Sequence, residues 1–146
     1  MLALLQRVRS ARVEVADSVV ASIGVGLLAL VCAEATDTEP LADKLVDKML
    51  KLRIFNDAVG RMNLSLQDVG GGLLIVSQFT LAADTRGGNR PGFAGAAPTE
   101  LGRALYERVL QQARARHAPV AAGQFGADMQ VHLINDGPVT IPLSLR

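Results

Sequence analysis

The stretch Leu73-Leu74-Ile75-Val76-Ser77-Gln78-Phe79-Thr80-Leu81, led in by Gly70-Gly71-Gly72, constrains the fold more than any other segment. Its unbroken aliphatic start suits a strand buried on both faces, so the sheet that holds it must be covered on both sides. Gly26 to Cys32 is a second run of this kind. Around them, Leu2 to Val8 reads as a strand, Arg12 to Val15 alternates, and Val19 to Ile23 follows a turn at Asp17-Ser18. Met62–Leu66, Val120–Phe125, Met129–Ile134 and Val139–Leu143 are further predicted strands. Pro142 limits the last to an edge, a bulge or an end. Thr38 as N-cap, with Glu39 and Pro40 in the first turn, opens a helix whose Leu41, Leu45, Met49 and Leu52 share one face. Asp43, Lys44, Asp47, Lys48 and Lys51 predict a solvated opposite face. Pro98-Thr99-Glu100 opens a second helix, with Leu101, Leu105 and Val109 aligned and an end near His117. Between strand and helix, Ala82 to Ala97 is a long Gly-rich loop of the sort that is functional or mobile. The sum is α+β, one domain over residues 1–146, with many strands and two main helices.

Charge narrows the function classes. Fifteen Lys and Arg against 14 Asp and Glu leave a net charge of +1, too little to coat a polyanion. A nucleic-acid partner would have to be gripped over a small part, through shape and hydrogen bonds. Four Phe, one Tyr and no Trp argue against an extended base-stacking platform. A hydrophobic content of 49% excludes a disordered chain. Cys32 is the only cysteine, which excludes an intrachain disulfide and a multi-thiolate zinc site, and reads as a buried core residue in a reduced, cytoplasmic setting. The uncharged stretch Ser18 to Ala33 contains glycines and falls short of the ~20 apolar residues of a membrane helix. The apolar-before-charged start, Met1 to Arg7, has the opposite order to a secretory signal. No membrane association is expected.

Acid–base groups are scarce. The two histidines, His117 at a helix end and His132 in a strand pattern, lie near no nucleophile motif, and no cluster has metal spacing. No metal or cofactor is expected. Gly70-Gly71-Gly72 precedes a strand, the wrong context for a phosphate loop. Two polar islands interrupt apolar strands. Ser77-Gln78-Phe79-Thr80 is either a strand emerging into solvent or a pocket wall offering hydroxyls, an amide and backbone N–H groups. Asn135-Asp136-Gly137-Pro138-Val139-Thr140 is either an ordinary turn or one that aims two carbonyls at a point, Gly-Pro being a context where a cis peptide is cheap.

Taken with Arg90-Pro91-Gly92-Phe93, these islands resemble the D-aminoacyl-tRNA deacylase family along the whole chain, including Gln6-Arg7-Val8, Arg53-Ile54-Phe55, Met62-Asn63-Leu64 and Phe125 to Val131. Gly92 stands where the family more often has Ser, and Ile141 where it more often has Phe. The resemblance implies a mostly antiparallel, barrel-like sheet and a homodimer with active sites at the subunit interface. It implies hydrolysis of D-aminoacyl-tRNA, and of glycine mischarged on tRNA, with L-aminoacyl-tRNA rejected. The partner is then the 3′-terminal adenosine of aminoacyl-tRNA, not DNA. By the same resemblance the N–H groups of Phe79 and Thr80 form an oxyanion hole, and Ser77, Gln78 and Thr80 line the pocket. Gly137 and Pro138, cis and braced by Arg7, reach into the neighbouring subunit's site. Phe125, Gly126 and Met129 accommodate the adenine. The terminal ribose 2′-OH assists water attack, supplying the group the protein lacks. Two alternatives compete: an esterase with Ser77 or Thr80 as covalent nucleophile, and a non-catalytic dimeric binding module. Arg86, Arg90 and Arg103 would be the local basic patch.

Overall fold

A computed structural model describes residues 1–146. In chain order it has β1 (Leu2–Val15), β2 (Ser18–Ile23), β3 (Gly26–Cys32), α1 (Glu39–Lys51), β4 (Phe55–Asn56), β5 (Met62–Leu64), the short α2 (Leu66–Val69), β6 (Gly72–Ser77), a 3-10 turn (Phe79–Ala82), α3 (Thr99–Arg116), β7 (Val120–Ala122) and β8 (Gln130–Ser144). The two long helices fall where the helix signals put them. Thr38 is the α1 N-cap, although its side chain makes no capping bond.

β3 and β6 are the centre of the sheet and are buried on both faces. Leu27, Ala29, Val31, Leu73 and Ile75 join one core with α1 and α3. Leu28, Leu74 and Val76 join a second core with Val8, Val13 and Ile23 on the other side. The sheet itself covers that second side: Ala121, Met129, Val131 and Leu133 pack against it, so the sheet curls. This is why both strands lack polar alternation.

Most of the pairing is antiparallel, as expected, but the sheet is mixed. β1 runs antiparallel to β2, β3 and β8, but β3–β6 and β6–β7 are parallel. The chain returns from β3 to β6 through α1 and from β6 to β7 through α3, and such crossovers produce parallel neighbours. Gly26 permits one of these contacts: a Cβ there would lie 1.9 Å from the Gly72 carbonyl oxygen.

Several boundaries differ from the sequence expectation for tertiary reasons. Leu2–Val8 and Arg12–Val15 are one strand, because β8 runs beside both halves. Met129–Ile134 and Val139–Leu143 also fuse, so Asn135–Pro138 reverses nothing. Gln6 pairs with Thr140 and Val8 with Asn135, which leaves Asp136 to Val139 bulging opposite Arg7. Asn135 holds the bulge shut: its Oδ1 accepts from the Val139 N–H at 2.8 Å and its Nδ2 donates to Thr140 Oγ1 at 2.9 Å. β8 pairs with β1 alone, so Pro142 does sit in an edge strand. β6 stops at Ser77 instead of running to Leu81, since its neighbour β3 ends there too. β5 ends at Leu64 because Ser65 caps α2, and β7 ends at Ala122. The charged side of α1 is not simply solvated: Asp43 pairs with Arg108 at 2.8 Å and Asp47 with Arg116 at 2.7 Å, clamping α1 to α3. No helix is long and apolar enough to cross a membrane.

Candidate active site

The parallel strands β3, β6 and β7 end side by side, and a cavity of about 500 Å³ opens at their carboxyl ends. Connections leave the ladder there, which makes it the usual ligand position in parallel sheets. Ser77, Gln78, Phe79, Phe125, Gly126 and Met129 are brought together in its wall. α3 closes one side through Gly102 and Tyr106.

The chain leaves the sheet at Gln78, whose N–H donates to the Val31 carbonyl at 2.8 Å. The turn then begins, with Leu81 N–H on Gln78 O at 3.2 Å and Ala83 N–H on Thr80 O at 3.1 Å. Phe79 and Thr80 therefore carry the first two amides of the turn, which have no carbonyl one turn earlier to bond. Thr80 is exposed and off the cavity wall, and its Oγ1 accepts a hydrogen bond from Gln78 Nε2. Three contacts hold the turn in place. Phe93 packs edge-on against Phe79 at 5.2 Å between centroids. The Ala97 N–H donates to Ala33 O at 2.9 Å, pinning the end of the long loop. The Cys32 thiol donates to Phe79 O at 3.5 Å. Gly92 lies in an isolated bridge to Asp84, and a Cβ there would meet nothing within 4 Å, so the loop has room for the commoner serine.

No Asp, Glu or His lines the cavity. Burial, and secondarily the Glu34 carboxylate, pushes the Cys32 thiol above its ordinary value, so it is a hydrogen-bond donor and not a thiolate nucleophile at neutral pH. The Tyr106 hydroxyl donates to Ile75 O at 3.0 Å and lies 3.4 Å from Gly123 O, and burial pushes it up to about 12. Its ring tilts against Phe125 at 5.7 Å. The Arg103 guanidinium sits over the same Phe125 ring, 4.6 Å from its centroid.

Arg7, Gly137 and Pro138 are not in the cavity wall. Arg7 is buried beneath the β8 bulge, where its Nε donates to Asp136 O at 2.9 Å and its Nη1 to Ile54 O at 2.8 Å. Gly137–Pro138 is cis, as is Ala118–Pro119. Gly137 has φ +147°, and a Cβ there would stand 2.7 Å from Val139 Cγ2. No group of three His, Cys, Asp or Glu able to hold a metal occurs.

A family model described as D-Tyr-tRNA(Tyr) deacylase matches residues 4–144. The chain belongs to that family. It is 68% identical over 143 residues to the D-aminoacyl-tRNA deacylase of Methylibium petroleiphilum, covering 98% of this chain and 94% of the relative. Against the D-aminoacyl-tRNA deacylase of Azoarcus sp. it is 68% identical over 145 residues, with 99% and 96% covered. Among solved structures, the c-Myc DNA unwinding element binding protein superposes with a TM-score of 0.95 at 40% identity, covering 100% of this chain and 99% of that one. A probable eukaryotic D-amino acid tRNA deacylase shares the fold, with a TM-score of 0.85 at 18% identity and 97% of each chain covered.

Sequence reasoning about this deacylase missed Tyr106 and the wall role of Cys32. Tyr106 is the only tyrosine, set on an apolar helix face where a buried hydroxyl needs a partner, and that was the available signal. Cys32 is a core residue that also lines the cavity. His117, expected as a charge at a helix end, has Nε2 2.6 Å from Gly71 O. His132, expected to face water, is bridged between Arg12 at 3.1 Å and Glu14 at 3.2 Å. Arg86 contributes little to a basic patch, because Asp84 binds it twice, at 2.9 and 2.7 Å.

Proposed function

We propose that this deacylase hydrolyses the ester between a D-amino acid and the 3′-terminal adenosine of tRNA, takes glycine mischarged on tRNA as well, and spares the L-aminoacyl form. One observation carries the mechanism: the turn that starts at Phe79, in the wall of a cavity lined by no carboxylate and no imidazole, opens with two amides, those of Phe79 and Thr80, that have no carbonyl partner in the turn. Such donors stabilise the oxyanion that develops as water adds to the ester, each worth about 3–4 kcal/mol where one has been removed. With no base in the wall, the ribose 2′-OH of the substrate assists the attacking water. Phe125, Gly126 and Met129 take the adenine, while Ser77 and Gln78 line the acyl end.

The active unit is a homodimer in the cytoplasm, where tRNA is charged. Gly137 and Pro138 of one subunit turn their carbonyls toward the neighbouring subunit's pocket, so that an L side chain clashes. The bulge on the unpaired edge of β8, outside its own chain's cavity, supports this arrangement. Arg7 holds the bulge by the Asp136 carbonyl.

The test is turnover of D-Tyr-tRNA and L-Tyr-tRNA at substoichiometric protein. Many turnovers on the D form alone are expected. Equal rates on both would overturn the proposal, and a stoichiometric stop would favour a binding module. A covalent Thr80 is tested by Thr80→Ala, which should keep most activity because its hydroxyl faces Gln78 and no base. The name of the c-Myc relative favours a second reading, DNA binding by the same fold. DNA lacks the 2′-OH the first reaction uses. Single-stranded DNA that leaves D-Tyr-tRNA hydrolysis unchanged would separate the two.

A further inference from the structure

We propose that Arg103 is a specificity residue that grips the phosphodiester on the 5′ side of the terminal adenosine, and so distinguishes aminoacyl-tRNA from a small aminoacyl nucleoside. The inference rests on the adenine lying against Phe125. Arg103 is exposed on the second turn of α3, with its guanidinium stacked on that ring. It forms no ion pair, whereas Arg108 is held by Asp43 and Glu39, Arg116 by Asp47 and Arg86 by Asp84; Arg90 and Arg114 are also without an ion pair, but only Arg103 stacks on Phe125. Glu100 and Glu107, a turn to either side on α3, do not close on it within salt-bridge distance.

The platform beneath it packs on α3. Phe125 leans on Tyr106, with ring centroids 5.7 Å apart, and its edge faces Gly102, where a Cβ would make only ordinary van der Waals contact at 3.8 Å. Stacking on a ring orients the guanidinium plane and leaves its edge N–H groups free, which is the geometry that binds phosphate oxygens in pairs. The cavity below is uncharged apart from these rims, so nothing inside it balances the cation. A substrate seated with its base at Phe125 brings its first negative charge, the 5′ phosphodiester, to this rim.

The experiment compares wild type with Arg103→Gln and Arg103→Lys on D-Tyr-tRNA and on 3′-O-D-tyrosyl-adenosine, which has no phosphate. Binding of the trinucleotide CCA is measured in parallel. For Arg103→Gln, KM for the tRNA should rise about tenfold with kcat unchanged, and the salt dependence of kcat/KM should weaken by about one phosphate contact. Kinetics on the adenosine ester should not change, CCA should bind more weakly, and Arg103→Lys should recover part of the loss. Unchanged KM for tRNA, or equal losses on tRNA and the nucleoside ester, would overturn the proposal; the latter would make Arg103 a packing residue of Phe125. CCA binding decides the point independently of turnover, so a silent wild type would count against the hydrolysis and not against Arg103.

Discussion

A backbone donor cannot be removed by trimming a side chain, but proline removes it. Position 79 is the first residue of its turn, where the fixed φ of proline is tolerated and the missing N–H is the group in question. Phe79→Pro should lower kcat about 10²–10³-fold beyond the loss in Phe79→Ala, which keeps the amide and loses only the ring contact with Phe93. Steady-state rates on D-Tyr-tRNA check this, and equal rates in the two variants would remove the amide from the mechanism. Tyr106 gives a pH signature. Its folded value is raised from 10.0 to about 12, so its contribution to stability is complete below pH 10 and is lost as pH rises toward 12. Thermal melts across that range should flatten in Tyr106→Phe, at a cost of about 1 kcal/mol near neutrality for the bond to Ile75 O.

Among the elements, the β8 bulge is the most exacting. Gly137 combines a left-handed φ with Val139 N at 2.8 Å from where a Cβ would be, and backbone cannot step aside as a flexible side chain can. Gly137→Ala should cost about 1–3 kcal/mol and raise hydrolysis of L-Tyr-tRNA relative to the D form. Gly24→Ala, with nothing within 4 Å, should change stability by less than about 0.5 kcal/mol. A melt and a D/L rate ratio on both variants check the contrast. The same bulge marks the limit of what was legible in the chain. Gly26–Cys32 and Leu73–Val76 could be recognised as two-sided strands because burial leaves its mark on every residue of the run. The two helices could be recognised from their period. Strand lengths could not, since β1 and β8 each continue only because the other lies alongside. The end of β6 at Ser77 is equally invisible in Phe79-Thr80-Leu81, where Phe and Thr favour strands and nothing breaks one, because the neighbour that stops is β3. The partners of Asp43 and Asp47 lie 65 and 69 residues away, so a charged helix face looked solvated. The two polar islands were legible as breaks in apolar strands, but joining them into one candidate site came from the family resemblance and not from their spacing; that the second island stands apart from the cavity walled by the first was not visible in the chain.

For the molecule as a whole, acid is the expected weakness. Asp43, Asp47, Asp57 and Asp68 are all held below 3.8, chiefly by hydrogen bonds from Arg108, Lys51, the Arg61 amide and the Ser65 amide in turn. Asp84 is held at about 2 by Arg86. Depressed carboxylates stabilise the fold above their unfolded values, and that contribution disappears as pH falls through the folded ones. Tm should therefore drop as pH is lowered from about 4 to about 2, and less steeply in high salt, because these groups are exposed and screened. A flat Tm over that interval would contradict the ion-pair picture.

The cavity and the β8 bulge occupy separate parts of one chain, and this has a consequence for dilution. On the proposed dimer, each subunit carries its own catalytic amides but borrows its stereochemical filter from its neighbour. Separated subunits would keep the means to cut and lose the means to refuse. As protein concentration falls through the dimer dissociation constant, discrimination between D- and L-Tyr-tRNA should decay sooner than the rate on the D form. Accuracy in this protein is then a property of the pair, set by how much of it is present.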